Sequence, residues 1–397
     1  MEKLLEKSNK SIQSVHYVYQ REVIGNINWE WRMNGIIGAR GTGKTTLLLQ
    51  KLQQLKKDGH EVLYVRLDDL YFADHRINDL ADSFRKNGGE YLYLDEVHKY
   101  PGWARELKNI YDYNPELKLV FSGSSIIELT KQDADLSRRA LMYEMTGLSF
   151  REYLLMSDII SLPKYPITEI FTDHVNIASA IVSQIPVLKH FSSYLKKGFY
   201  PYYLESERDY STTLEQIIRT VMETDLRFIE NFDIAQSRKM LTLLKVIAAS
   251  VPFKPNISKI SQKTDLHRQT VLLYLQYLEK ARMIRLVNQP DRYISRLQKP
   301  DKIFLDNPNL LFALNPEIVN TGTLRETFAL NQLSVKYEVF LHEKADFVVD
   351  NKFVIEIGGK NKDSRQVRDF ENSYIFPDGI ETGHHNKIPL WLLGLLY

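Results

Sequence analysis

The chain has 397 residues, enough for two or three domains at roughly 150 residues each. Its 52 basic and 50 acidic side chains leave a net charge of +2, which neither demands nor excludes nucleic acid, because a local basic patch can sit inside a balanced total. With 44% apolar residues each domain can bury a core, and the lack of cysteine excludes disulfide staples, thiolate metal sites and cysteine nucleophiles.

The N-terminal ten residues are charged where a signal peptide needs an apolar stretch. No run approaches the ~20 apolar residues that span a bilayer. A cytoplasmic protein without a membrane partner is therefore expected. The first third alternates short apolar runs with helical patterns: strands at Met33–Gly38, 62–67, 91–94 and 117–122, a helix at Lys44–Lys57, and a fifth strand near 142–145. Strands alternating with helices imply a parallel sheet covered on both faces. Residues 150–247 change to helical spacing. Ile257–Thr264, a break at Asp265-Leu266, a helix over 267–282 and the β-branched Ile284–Val287 give helix, turn, helix, strand, the pattern of a winged helix. The last hundred residues are mixed: a helix over 324–335, strands at 337–341, 345–349 and 353–357, and Asp350-Asn351 as a two-residue hairpin turn. The apolar tail over 389–397 reads as a final core strand.

Gly38-Ala39-Arg40-Gly41-Thr42-Gly43-Lys44-Thr45 fits the phosphate-cradling pattern G-x-x-x-x-G-K-[ST] at every fixed position. An apolar strand precedes it and an amphipathic helix follows. Glycines let successive backbone N–H groups turn toward phosphate oxygens, and the helix N-terminus adds its dipole. The cradle, continued by Thr46, is expected to hold ATP, with GTP as the other triphosphate of that class. Lys44 reaches the β- and γ-phosphates, and the Thr45 hydroxyl ligates Mg²⁺. About fifty residues on, the strand Tyr91-Leu92-Tyr93-Leu94 ends in Asp95-Glu96. Asp95 is the expected Mg²⁺ holder through a water shell, and Glu96 the base that orients and deprotonates the attacking water. The acid pair favours ATPases over Ras-like GTPases. Ser122-Gly123-Ser124-Ser125 closes the strand that, in an additional-strand sheet, lies between the other two. Ser124 is either a polar γ-phosphate sensor or a turn cap. Arg139, next to Arg138, is either a charged loop residue or an arginine that stabilises the transferred phosphoryl, in its own chain or from a neighbouring one.

These segments together resemble the prokaryotic AAA-type P-loop ATPases that end in a restriction-nuclease-like domain. Gly38 through Thr46 is similar to that family's GPRxxGKTT loop, with Ala39 in place of proline. Asp95-Glu96-Val97-His98 followed by Pro101-Gly102-Trp103 resembles its DEI-x-x-x-PGW segment, and Ser122 to Ser125 its GSS element. Leu136-Ser137-Arg138-Arg139 and the stretch Leu148 to Tyr153 resemble LSGR…PLSFxEF, with Arg138 replacing glycine and Gly147 replacing proline. Gly198 to Tyr202 is similar to GGYP, with Phe199 departing from it. The resemblance implies ATP binding and an AAA-like fold, and it aligns Arg139 with the family arginine. It does not imply an agreed biological role.

The expected fold is thus multidomain α/β. An AAA-like P-loop domain over 1–150 has an additional-strand parallel sheet. A helical domain over 151–236 and a winged-helix module over 237–300 follow, and then a small α/β nuclease-like domain over 301–397. In the winged helix, His267, Arg268, Gln269 and Thr270 can reach phosphates or base edges of double-stranded DNA, or the module can be a protein spacer. In the last domain Glu326, Asp346 and Glu356 have the arrangement of a PD-(D/E)xK core, which needs acids for Mg²⁺ and a lysine for the attacking water. The lysine is displaced, with Lys360 the nearest by way of Gly358-Gly359, and Gln366 on a following helix fits the fold. That displacement favours a nuclease fold kept for binding over one that cleaves. Two functions remain open: an ATPase acting on DNA or a DNA-bound partner, and a regulatory switch that contacts only proteins, by partner binding or self-association.

Overall fold

The computed structural model describes residues 1–16, 19–124, 136–228, 233–250, 252, 254–290, 299–315, 319–363 and 365–397. The chain forms two compact units. One comprises Met1–Thr146 with Glu223–Asp233, the other Gly147–Met222 with Ile234–Tyr397.

In the first unit α1 (Glu2–Gln13) and α2 (Val23–Asn26) precede β1 (Met33–Gly38), α3 (Lys44–Lys57), β2 (Val62–Arg66), α4 (Ile77–Lys86), β3 (Tyr91–Asp95), α5 (Trp103–Tyr113), β4 (Lys118–Ser124) and β5 (Leu141–Glu144). The five strands run parallel in the order β2-β3-β4-β1-β5. The inserted strand β4 therefore lies between β1 and β3, as the apolar run over 117–122 suggested. Side chains alternate between the faces of a strand. Leu63, Leu92 and Phe121 accordingly pack against α4 and α5 through Leu80, Phe84 and Leu107. Tyr64, Tyr93 and Val120 face α3 through Leu48, Leu52 and Leu55. Both faces are buried, which is why these strands read as continuous apolar runs.

The second unit opens with α6 (Phe150–Met156), whose N-cap Ser149 forms a capping box with Glu152. Helices α7 (Ile167–Val182), α8 (Val187–Lys197) and α9 (Tyr210–Glu223) follow. Next come α10 (Ile234–Ala248), α11 (Ile257–Thr264), α12 (Arg268–Lys280) and an antiparallel pair, β6 (Ile284–Val287) with β7 (Lys302–Leu305). Asp265 takes φ 51° and ends α11, so the break expected there forms. Strand β7 was not expected. It pairs with β6 across the boundary placed at 300, so the sheet that β6 begins is completed from beyond the expected end of that module.

The chain closes with α13 (Pro308–Leu314), α14 (Thr321–Leu333) and the strands β8 (Val339–Leu341), β9 (Phe347–Val349), β10 (Phe353–Gly358) and β11 (Ser373–Pro377). The sheet order is β11-β10-β9-β8, antiparallel except for the β10–β11 pair. Asp350 and Asn351 both have positive φ, 50° and 52°, and Lys352 N–H donates to Val349 O at 3.0 Å. That is the expected two-residue hairpin turn. Two expectations fail. The apolar tail is a 3₁₀ segment, Leu390–Leu395, rather than a strand. Its residues are buried on every side, and a run apolar all round carries no period that separates strand from helix. Gln366 lies in consecutive turns rather than on a helix. No helix among the described residues is long and apolar enough to cross a membrane.

Candidate functional site

The loop after β1 turns on its glycines. Gly41 and Gly43 adopt φ of 86° and 95°, and Gly43 starts α3. Gly38 is required by space instead, since a Cβ there would lie 2.2 Å from the Met145 carbonyl oxygen. Arg21, buried at 6% exposure, ties the loop down, its guanidinium donating to the Thr42 and Thr146 carbonyls at 2.9 Å each. Lys44 is folded into the loop, where Nζ donates to the Gly38 and Ala39 carbonyls at 2.9 Å each. Burial pushes its ammonium down, opposed by Glu96, Asp95 and Asp225. Thr45 is exposed at the first turn of α3, with Thr46 half-buried beside it.

Strand β3 delivers the acids to the same edge. Asp95 is 1% exposed and gathers four donors. Thr45 Oγ1 donates to Oδ2 at 2.7 Å, Tyr64 OH to Oδ2 at 2.8 Å, and Glu96 N–H to Oδ1 at 3.0 Å, with the Ser122 hydroxyl as the fourth. Four donors fix the orientation of the carboxylate. Thr45 and Asp95 are an all-oxygen donor pair at the loop, the donor type that Mg²⁺ takes.

Glu96 follows in a left-handed conformation, φ 57°, uncommon for a residue with a side chain. Its Oε2 lies 3.1 Å from Lys99 Nζ, 3.7 Å from His98 Nε2 and 4.0 Å from Arg40 Nη1. Burial raises this carboxyl, but His98 once protonated, with Lys44 and Lys99, outweighs it and holds it below the ordinary glutamate range. His98 itself is pushed down to about 4, chiefly by burial, so its ring is neutral at neutral pH. The backbone N–H of Ser124 points at His98 Nδ1 at 3.4 Å. With Nδ1 accepting, the ring proton sits on Nε2, toward Glu96. Ser124 pairs in register with Gly38, which brings it beside the loop. Ser125 lies outside the described residues.

Arg139 goes elsewhere. Strand β5 begins with Leu141 opposite Asn34, and Gly38 is four strand steps further on, a separation of roughly 13 Å at ~3.3 Å per residue. Arg139 therefore sits at the opposite edge of the sheet. There its Nε and Nη2 donate to Asp112 Oδ1 and Oδ2 at 2.9 and 3.0 Å. The structure does not bring it to the loop of its own chain.

Asp225 was not among the expected site residues. This residue returns to the first unit within Glu223–Asp233, and its carboxylate accepts from Arg40 Nη1 at 3.1 and 3.4 Å. It is 1% exposed. Burial raises its carboxyl against the pull of Arg40, and Glu96 adds to the rise. No local motif marks it, since a lone acid in Thr-Asp-Leu-Arg resembles any other.

In the second unit Glu326, Asp346 and Glu356 come near one another: burial raises all three carboxyls, and Asp346 adds to the rise of both glutamates. Each glutamate has a lysine. Lys302 Nζ meets Glu326 Oε2 at 2.6 Å, and Lys362 Nζ pairs with Glu356. Asp346 Oδ2 accepts from Ile357 N–H at 2.7 Å. Lys360, the sequence candidate, is exposed. The chain turns at Gly359, whose carbonyl accepts from Lys362 N–H at 2.9 Å. Lys362 then lies over Gly358, where a Cβ would come within 2.5 Å of it. Counting strand steps missed this because a turn, not an extended strand, follows Gly358. Lys362 also donates to Gln366 Oε1 at 2.6 Å. Among the described residues no group of three or more His, Cys, Asp or Glu side chains is arranged to hold a metal ion.

Comparison with known proteins places the first unit. A family model described as AAA domain matches residues 30–154, and the parallel sheet with its glycine loop is a P-loop α/β fold. A second family, described only as a domain of unknown function (DUF8612), matches residues 188–320. The uncharacterized protein MJ1637 of Methanocaldococcus jannaschii is 26% identical over 97% of this chain and 88% of its own. Among solved structures, AMPPCP-bound DnaA from Aquifex aeolicus is 18% identical, with a TM-score of 0.29, over 66% of this chain and 86% of that one. The S. cerevisiae Hsp104–ADP complex is 16% identical, with a TM-score of 0.30, over 70% and 39%.

Proposed function

We propose that the first unit is a Mg²⁺-dependent ATPase and that its nucleotide state governs what the second unit binds. The observation that carries this reading is the meeting of Lys44, Thr45, Asp95 and Glu96 at one edge of the parallel sheet, in the region that matches the AAA domain description. Lys44 exchanges the two loop carbonyls for β- and γ-phosphate oxygens, and the loop N–H groups from Ala39 to Thr46 take the rest. Mg²⁺, held by Thr45 Oγ1 and through its water shell by Asp95, would neutralise charge on the phosphates. Glu96 is ionised and restrained by Lys99, so it can align a water for attack and accept its proton. Ser124, beside Gly38, is the candidate sensor of the terminal phosphate. Arg139 lies too far along the sheet for its own chain's loop and is paired with Asp112, which leaves a charged loop residue or a role at a neighbouring copy's loop.

The test is a pair of variants assayed for nucleotide binding and phosphate release. Lys44→Ala is expected to lose most ATP affinity. Glu96→Gln is expected to bind ATP and lose on the order of 10²- to 10⁴-fold in turnover. Near-normal hydrolysis by the glutamine variant would assign the base elsewhere.

For the second unit the winged-helix reading rests on three helices followed by the β6–β7 hairpin, with His267, Arg268 and Gln269 exposed at the start of α12. On that reading it contacts duplex DNA. A specific observation favours the other reading, a protein-docking platform. The helix–three-strand–strand arrangement of α14 to β11 fits a nuclease-like core, yet both of its glutamates are occupied by lysines.

A further inference from the structure

The triphosphate reading of the loop has a consequence at Arg40. The structure pairs this loop side chain with a carboxylate from a remote segment, 185 residues on. Its Nη1 lies 3.1 Å from Asp225 Oδ1 and 4.0 Å from Glu96 Oε2. On the ATPase reading a water aligned by Glu96 attacks the terminal phosphate, so the cations near Glu96, Arg40 at 4.0 Å and Lys99 at 3.1 Å, lie on the γ-phosphate side of the site. Asp225 therefore occupies with a carboxylate the charge position that a γ-phosphate would take. His98 Nε2, 3.9 Å from Asp225 and 3.7 Å from Glu96, closes the other side of the same small space.

We propose that Asp225 is an internal competitor of the γ-phosphate for Arg40, so that ATP displaces it and ADP does not. The inference rests on the ATPase reading and extends it to the regulation of the same site. Arg40 cannot serve both anions at full strength. Once a phosphate with several negative charges takes its guanidinium, Asp225 is left buried, unpaired and near two other anionic groups, a costly state. The cost is relieved by moving the carboxylate out, and its segment with it. Asp225 begins the 3₁₀ turn Asp225–Phe228, which follows directly on α9. ATP arrival thus frees a turn that follows directly on a helix of the second unit. ADP has no group at that position and leaves the pair closed.

The full chain tests this with ADP and a non-hydrolysable ATP analogue, both with Mg²⁺, by calorimetry. Asp225→Asn keeps the shape and removes the charge. It is expected to tighten analogue binding by about tenfold, while ADP affinity shifts less than about twofold. In an Arg40→Gln background the same change should have no selective effect, which a merely structural role of Asp225 would not produce. Hydrogen–deuterium exchange of peptides over 223–233 in the unmodified chain needs no variant to fold. It should be faster with the analogue than with ADP. Equal shifts for both nucleotides, weaker analogue binding, or exchange that is unchanged or slowed by the analogue overturns the competitor. An unmodified chain that binds neither nucleotide overturns the ATPase reading itself, and the two failures are told apart by that control.

Discussion

His98 is a test of how burial sets chemistry at this site. Its ring is 6% exposed and its pKa is pushed to about 4 from the usual 6.5. The unfolded chain takes up a proton below pH 6.5 and the folded chain refuses it until about pH 4, so acidification across that window favours unfolding. A shift of about 2.5 pKa steps corresponds to roughly 3 kcal/mol of stability, present above pH 6.5 and lost toward pH 4. His98→Gln should flatten the pH dependence of the first unit's urea midpoint between pH 7 and 5. An unaltered slope in that variant sinks the assignment. Glu96 acts in the same sense but lower down. Its carboxyl is held below 4.5, so its contribution is present above that value and fades only in stronger acid. The windows overlap near pH 4.5, so the range from pH 6.5 to 4.5 is the one that reports on His98. Residue types and spacing marked Lys44, Thr45, Asp95 and Glu96 without a structure, because the loop and the strand-end acids have fixed spacing along the chain. Asp225, Arg21 and Lys362 escaped because each reaches its partner across space or around a turn.

At the scale of elements, β1 and β5 approach so closely at Gly38 that the Met145 carbonyl fills the place of a Cβ. Gly38→Ala must push the strands apart. A cost of about 1–3 kcal/mol is expected, as for overpacking in a close-packed interior, together with weaker nucleotide binding because the loop begins there. Equilibrium unfolding would reveal it, and a variant of undiminished stability would mean the strands can part freely. The parallel sheet was legible strand by strand, because burial on both faces leaves unbroken apolar runs between turn signals. The hairpin at Asp350-Asn351 was legible because few residues tolerate two consecutive positive φ angles. Strands β7 and β11 were not read although others as short were; what marks them is pairing across a connection, β7 with β6 and β11 with β10. The tail over 389–397 misled because complete burial erases the difference between strand and helix.

At the scale of the whole chain, the issue is whether the second unit contacts DNA. Duplex binding to phosphates must weaken steeply with salt, and replacing one phosphate-contacting cation should lower the slope by about 1. Arg268→Ala is expected to do this if the exposed start of α12 meets DNA. Absence of duplex binding at low salt, with and without ATP, leaves the docking platform as the standing reading. The division of the chain into units bears on this as well. Glu223–Asp233 belongs to the first unit although the sequence on both sides of it belongs to the second.

The sequence alone determined that a glycine cradle, an ammonium and a pair of strand-end acids exist, and that a parallel sheet carries them. Those features are local: each is encoded within a few turns or strands by propensity, period and spacing. Tertiary structure alone decided that Arg40 is held by Asp225, that Lys362 rather than Lys360 faces Glu356, and that Arg139 stands at the far edge of its sheet. Such pairings depend on Coulomb attraction and close packing between groups far apart in the chain, and no pattern along one strand or helix records them.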